Sequence, residues 1–154
     1  MKMRDMKHRR IYTAGCFDLF HYGHLNILQK AKAQGDYLIV AVSSSRLMKQ
    51  KGKVEIIPFR ERVKIVESVK CVDKVVREDR VFDIKQFTRL KCDLFVMGSD
   101  WEERMDISNL NWLRASHKIV FFPYTKHLSS SEIQKKIIKN SYKIVESQVR
   151  RKSR

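Results

Sequence analysis

The sequence has no apolar run approaching the length of a membrane span. Its three cysteines, Cys16, Cys71 and Cys92, lie far apart with no CxxC pair. That argues against a disulfide framework or a thiolate zinc site and fits reduced, buried thiols. No Cys, His and carboxylate set stands at ligand spacing, so no residue is assigned to a metal. There is no internal repeat and no low-complexity segment. The basic start, MKMRDMKHRR, is followed by no apolar h-region, so it is not read as a secretory signal and the cytoplasm is the expected compartment.

Acidic residues are the scarce charge: 17 Asp and Glu against 33 Lys and Arg, for a net +16. The two ends carry most of this excess. Residues 1–10 hold five Lys or Arg and one Asp, and residues 133–154 hold eight Lys or Arg and one Glu. One meaning is a solvated face with a frayed tail. The other is attraction of polyanions, as weak binding to nucleic acid or to an anionic surface. The expected organisation is a basic extension over residues 1–9, one domain over 10–146 and a basic tail over 147–154. A chain of 154 residues with 43% hydrophobic content can bury one core without staples.

Apolar patterning alternates between two periods. RIYTA (10–14), YLIVAV (37–42), DKVV (73–76), DLFVM (93–97) and KIVFF (118–122) are short apolar runs and read as strands. Residues 25–33, 59–69 and 82–90 show helical spacing, and a long helix is expected from Ser130 onward. Residues 43–58 read as a polar, basic loop. Strands alternating with helices imply right-handed crossovers and a mostly parallel, doubly wound α/β sheet. Ligands of such sheets bind at the carboxyl ends of the strands, which directs attention to residues 15–24, 43–53, 98–106 and 123–131.

The first of these, GCFDLFHYGH, joins the first strand to the first helix. A helix start presents free N–H groups and a partial positive charge, an anion site in itself. His21 and His24, three apart, share one face of a helical turn, and Gly23 keeps it open. Two imidazoles placed there can donate to one phosphoryl group and stabilise charge on its oxygens during displacement. Either histidine can also be a satisfied structural residue. Phe17 and Phe20 read as core; Asp18 either caps a turn or orients a histidine. In LMKQKGK (47–53), Lys49 and Lys51 would point the same way from an extended loop and neutralise phosphates, or simply form a solvated basic loop. GSDWEERMD (98–106) sets Trp101 in a charged run, which favours a site or an interface over ordinary core. SSSE (129–132) is N-cap chemistry and, equally, a phosphate cradle.

These four loops, in this order, resemble the HxGH nucleotidyltransferase superfamily over about residues 10–140, and within it the cytidylyltransferase family, nearest its glycerol-phosphate members. The resemblance implies a Rossmann-like fold, a homodimer and transfer of CMP from CTP to a small phosphorylated alcohol. Glycerol 3-phosphate is the implied acceptor, with CDP-glycerol and pyrophosphate as products and cell-wall or capsule polymers as their use. Magnesium would arrive with the nucleotide. The resemblance assigns catalysis to His21, His24, Lys49 and Arg62, and acceptor binding to Lys49 and Lys85. It puts the nucleotide against Cys16, Phe17, Asp18, His21, Tyr22, Gly23 and His24, then Lys51, Asp100 and Trp101. The last loop adds Tyr124, Thr125, Lys126, His127, Leu128, Ser129, Ser130 and Ser131. Three positions depart from the pattern. Tyr124 replaces an arginine, His127 a glycine, and Cys16 a threonine usual in the glycerol-phosphate enzymes; GCFD also occurs in heptose-phosphate nucleotidyltransferases. The rivals are an ATP-dependent adenylyltransferase or sugar-phosphate nucleotidyltransferase of the same fold, and a non-catalytic basic nucleic-acid-binding protein.

Overall fold

The structure, a computed structural model, describes residues 9–123, 125 and 128–152, with side chains through residue 148. Tyr124, Lys126, His127 and all but the last residue of the expected 1–9 extension lie outside the described residues. Arg9 belongs to the body: its N–H and guanidinium bond the Asp36 carboxylate and the Gln34 carbonyl.

The chain runs β1 (Arg10–Gly15), α1 (Tyr22–Lys32), β2 (Tyr37–Ser43), α2 (Ser45–Gln50), α3 (Phe59–Glu67), β3 (Lys74–Glu78) and α4 (Ile84–Arg89). It continues through β4 (Leu94–Gly98), a single 3-10 turn (Ser99–Trp101), α5 (Ile107–Ala115), β5 (Ile119–Phe122), α6 (Ser130–Lys139) and α7 (Ser141–Lys152). All strand pairs are parallel, in the order β3-β2-β1-β4-β5. The expected doubly wound sheet is therefore present.

Period-two alternation along the strands divides the core between the two faces. Tyr12, Ile39, Phe95 and Met97 face one way and pack with Phe87 of α4 and Leu113 of α5. Ile11, Val40, Val42 and Val96 face the other way and pack with Leu28 of α1 and Val66 of α3. From Leu38 to Ser43, β2 is buried on both faces, which is why it reads as one continuous apolar run. Carboxylates fasten the opposite, amino-terminal edge. Asp93 accepts from the Arg10 N–H at 2.9 Å, and Asp73 from the Leu38 N–H at 2.7 Å. Gly35 lets α1 turn back there: a Cβ would lie 2.6 Å from the Arg9 carbonyl oxygen.

Three segments differ from the sequence expectation. Within the expected loop 43–58, Ser44 caps α2 by accepting from the Leu47 N–H at 3.2 Å. In the stretch between Trp101 and Pro123, Asp106 caps α5 through the Ser108 and Asn109 N–H groups. The long helix from Ser130 is divided at Asn140, and its second half runs through the expected tail to Lys152.

β1 sits at the centre: the chain moves outward through β2 to β3, then crosses back past β1 to β4 and on to β5, so the winding direction reverses beside β1. The crevice at this switch point opens at the carboxyl ends of β1 and β4.

Candidate active site

A cavity of about 430 Å³ fills that crevice. His21 is the N-cap of α1, with extended backbone. Its Nδ1 accepts from the Gly23 N–H at 3.0 Å, and the Nδ1 of His24 accepts from the His21 N–H at 3.3 Å. The two histidines thus satisfy reciprocally the donors that a helix start leaves unpaired. The ring centroids stack 3.9 Å apart.

This capping fixes the tautomer. A neutral imidazole carries one proton, and a nitrogen that accepts cannot hold it. Both protons therefore sit on Nε2, the nitrogen not committed to the helix end. Burial, then the charges of His21 and Lys53, lower the His24 pKa to about 3, and burial also lowers that of His21. Both rings enter the site as neutral N–H donors. Gly23 is required by this arrangement: a Cβ there would lie 2.8 Å from His21 Cε1 and 3.2 Å from the Leu128 carbonyl oxygen.

Of the residues assigned by resemblance, the cavity gathers Cys16, Phe17, His21, Gly23 and His24 from the first loop. Asp100 and Trp101 enter from the 3-10 turn. Thr125, Leu128, Ser129, Ser130 and Ser131 close the far wall. That wall is tied to the first loop: the Ser130 hydroxyl donates to the Asp18 carbonyl at 2.5 Å, and Asn26 of α1 donates to Thr125 Oγ1 at 3.0 Å. Ser129 spends its hydroxyl on the Glu132 N–H as the α6 cap. The free amides of the first turn of α6 follow it.

Six of the assigned residues do not line this cavity. Arg62 has no exposed surface and does not line the cavity. Its guanidinium bonds the carbonyls of Ile57, Cys16 and Ser43 and the Glu55 carboxylate, so it clamps three loops. Asp18 is buried, and its two oxygens accept from the N–H groups of Leu19, Ile56 and Ile57. It braces the loop below the cavity. Lys49 and Lys51 do not alternate, because the segment forms α2 and not an extended strand. Lys49 is an exposed helix residue away from the cavity. Lys51 turns inward to the buried Glu78 at 3.3 Å and to Ser43 Oγ at 3.1 Å, with its Nζ 4.9 Å from the centre of the Trp101 ring. Lys85, at the start of α4, and Tyr22, 64% exposed, also stand outside the cavity.

Sequence reasoning missed the cations that do line it: Lys53, Lys30 and Arg104. Lys53 and Arg104 flank Trp101, at 5.7 and 6.0 Å from the ring centre. Lys30 had a signal, since it follows Asn26 by four residues on the cavity face of α1. Lys53 had a weaker one, as the residue after Gly52, whose φ of +68° turns the chain back. Among the described residues no group of three or more His, Cys, Asp or Glu is placed to hold a metal ion, and Asp100 is the one carboxylate lining the cavity.

The family model described as cytidylyltransferase-like matches residues 12–144. The chain belongs to this family. It is a nucleotidyltransferase, and the histidine-capped helix, the 3-10 turn and the start of α6 all lie inside the matched span. A glycerol-3-phosphate cytidylyltransferase from Bacillus subtilis is 35% identical over 130 residues, covering 84% of this chain and 97% of that protein. One from Staphylococcus aureus is 32% identical over 133 residues, covering 84% and 95%. The bifunctional protein HldE from Helicobacter pylori is 39% identical over 113 residues, 72% of this chain but only 24% of that protein. Among solved structures, a lipopolysaccharide core biosynthesis protein from Thermoplasma volcanium superposes with a TM-score of 0.66 at 26% identity, covering 77% of this chain and 99% of that one.

Proposed function

We propose that this cytidylyltransferase transfers CMP from CTP to glycerol 3-phosphate, releasing pyrophosphate and CDP-glycerol. The observation that carries the chemistry is the histidine pair whose Nδ1 atoms both accept from the helix-start N–H groups, an arrangement that turns each Nε2 into the donor. A phosphate oxygen of the acceptor attacks the α-phosphorus, and the bond from that phosphorus to the bridging oxygen of pyrophosphate breaks. Charge spreads over the phosphoryl oxygens in the transition state, and positioned donors stabilise it without a covalent enzyme intermediate. His21 and His24 supply two such donors. The first-turn amides of α6 and the cations Lys53, Lys30 and Arg104 receive the triphosphate. Trp101 holds two of these cations toward the crevice.

The donor set fits a magnesium ion carried by the nucleotide. Magnesium takes few protein ligands when phosphate oxygens provide the rest, and Asp100 is the carboxylate available for it. When bound, the ion neutralises charge on the triphosphate and the departing pyrophosphate.

The acceptor comes from the two full-length relatives named for glycerol 3-phosphate. CDP-glycerol is an activated glycerol phosphate suited to cell-wall or capsule polymers. The homodimer and the cytoplasmic location belong to the same reading, and sedimentation mass and cell fractionation test them.

The deciding experiment measures pyrophosphate release with magnesium, glycerol 3-phosphate and either CTP or ATP, for wild type and His24→Ala. CTP-dependent release abolished by the substitution supports the reaction and the site. Release with ATP alone moves the protein to an adenylyltransferase. Release with CTP only when a heptose phosphate replaces glycerol phosphate overturns the acceptor and leaves the site intact.

A further inference from the structure

We infer that Glu78 is a positioning residue: by holding Lys51 it fixes the indole of Trp101, and with it the two cations that Trp101 turns toward the cavity. β2 and β3 end side by side, to one side of the crevice. Ser43 pairs with Glu78 in their register, and the Ser44 N–H bonds the Glu78 carbonyl at 2.8 Å. The Glu78 side chain is 4% exposed there and that of Lys51 11%. The Glu78 carboxylate accepts from the Ser43 hydroxyl and from Lys51 Nζ, the latter at 3.3 Å. Lys51 Nζ donates also to Ser43 Oγ at 3.1 Å. Neither charged group lines the cavity, and neither takes part in the proposed transfer.

Stability gives little reason to bury this pair. Desolvation of a carboxylate and an ammonium offsets most of their attraction, and well-packed apolar side chains of the same volume would hold β2 to β3 as well. What the pair contributes is a cation at a fixed place. Lys51 Nζ lies 4.9 Å from the centre of the Trp101 ring, and Trp101 lines the cavity. An ammonium has three hydrogens; Glu78 and Ser43 take two, which leaves one for the ring.

Glu78 also resolves a charge conflict. Lys51, Lys53 and Arg104 all lie within 6.0 Å of the centre of this one ring. Lys53 and Arg104 are exposed and line the cavity. Lys51 alone would add a third like charge to them. Paired with Glu78, it keeps its contact with the ring while the pair as a whole is neutral. A buried group thus anchors the ring, and two solvent-facing cations are left to meet phosphates.

The test uses the full chain. Its tryptophans are two, so Trp112→Phe leaves Trp101 as the one indole. In that background Glu78→Gln and Lys51→Met should each shift Trp101 emission and raise its quenching by acrylamide about twofold. The two together should do no more than either alone, as groups acting in series must. The kinetic arm rests on the proposed CMP transfer: in either variant KM for CTP should rise about 5- to 10-fold, with kcat changed less than about twofold. In a Trp101→Leu background Glu78→Gln should change KM less than about twofold, because the ring it positions is gone. Far-UV circular dichroism checks folding, and Lys51→Met carries the test should Glu78→Gln unfold. Unaltered Trp101 emission in a folded variant overturns the inference, as does a Glu78→Gln effect on KM that persists in Trp101→Leu. A loss confined to kcat overturns it too, since that places the pair at the reacting atoms. A wild type that releases no pyrophosphate from CTP refutes the proposed function alone, and the emission measurements still decide the role of Glu78.

Discussion

Replacing Arg62 by methionine separates a clamp from a catalyst. The methionine keeps much of the side-chain volume and removes every donor. Four acceptors lose their partner: the carbonyls of Cys16, Ser43 and Ile57, and the Glu55 carboxylate. Ser43 has no exposed surface, so its carbonyl cannot recover a water cheaply; Glu55 lies nearer the surface and rehydrates. Carbonyls left unpaired at about 1–3 kcal/mol each together cost about 3–5 kcal/mol. With a urea dependence of roughly 2 kcal/mol per molar, the unfolding midpoint should fall by about 2 M, and at about 3 °C per kcal/mol the Tm should fall by roughly 9–15 °C. Arg62→Lys keeps the charge but not the planar fork and should lose about half as much. Chemical unfolding followed by circular dichroism measures both. Activity of the folded fraction should fall mainly through KM, as the three loops around the cavity relax. If Arg62→Met has wild-type stability and no turnover, the clamp reading is wrong and the guanidinium acts on the nucleotide.

Acid should destabilise the protein through His24. Its pKa is about 3 folded against 6.5 unfolded, so the unfolded chain binds the extra proton as pH falls below 6.5. The stabilisation is complete above that value and is lost on going down toward 3; between pH 7 and 5 the loss is about 2 kcal/mol. His24→Gln should flatten that slope in urea titrations, and an unchanged slope refutes the assignment. Gly23→Ala should keep the fold and lose on the order of 100-fold in kcat/KM, because its Cβ displaces the His21 ring. Lys53→Ala should cost about 10- to 100-fold in kcat/KM for CTP, while Lys49→Ala changes it less than about twofold; the reverse ranking would restore the sequence expectation.

The sheet was legible because each strand is an apolar run long enough to be covered on both faces, and YLIVAV admits no other placement in a domain of this size. The histidine pair was legible for a different reason. Its spacing, the intervening glycine and its position after a strand all agree. The small helices were not: α2 is six residues long, polar on its outer side, and held by one serine cap and two buried residues, Leu47 and Met48. Missing it misdirected the lysines, since the alternation that would align Lys49 with Lys51 exists only in extended chain. Arg62 was misread because a charged side chain gives no local sign of being buried. Its partners come from residues 16, 43 and 55–57, and only the fold brings them together. Arg104 enters the cavity by tertiary placement alone.

The crevice joins the two ends of the described fold. Asp18 and Ser130 are 112 positions apart, and the bond between them closes the wall of the cavity. Such a contact comes late in folding, because the entropy of closing so long a loop is repaid only after the sheet between has formed. A growing chain can complete β1, α1 and β2, and with them the histidine cap, well before β5 exists. Through that interval it carries its catalytic donors in a half-built trough that cannot enclose a nucleotide. The order of synthesis thus makes competence for turnover one of the last properties the molecule acquires, and a truncation before residue 129 should yield a chain that has its histidines in place and nothing to hold against them.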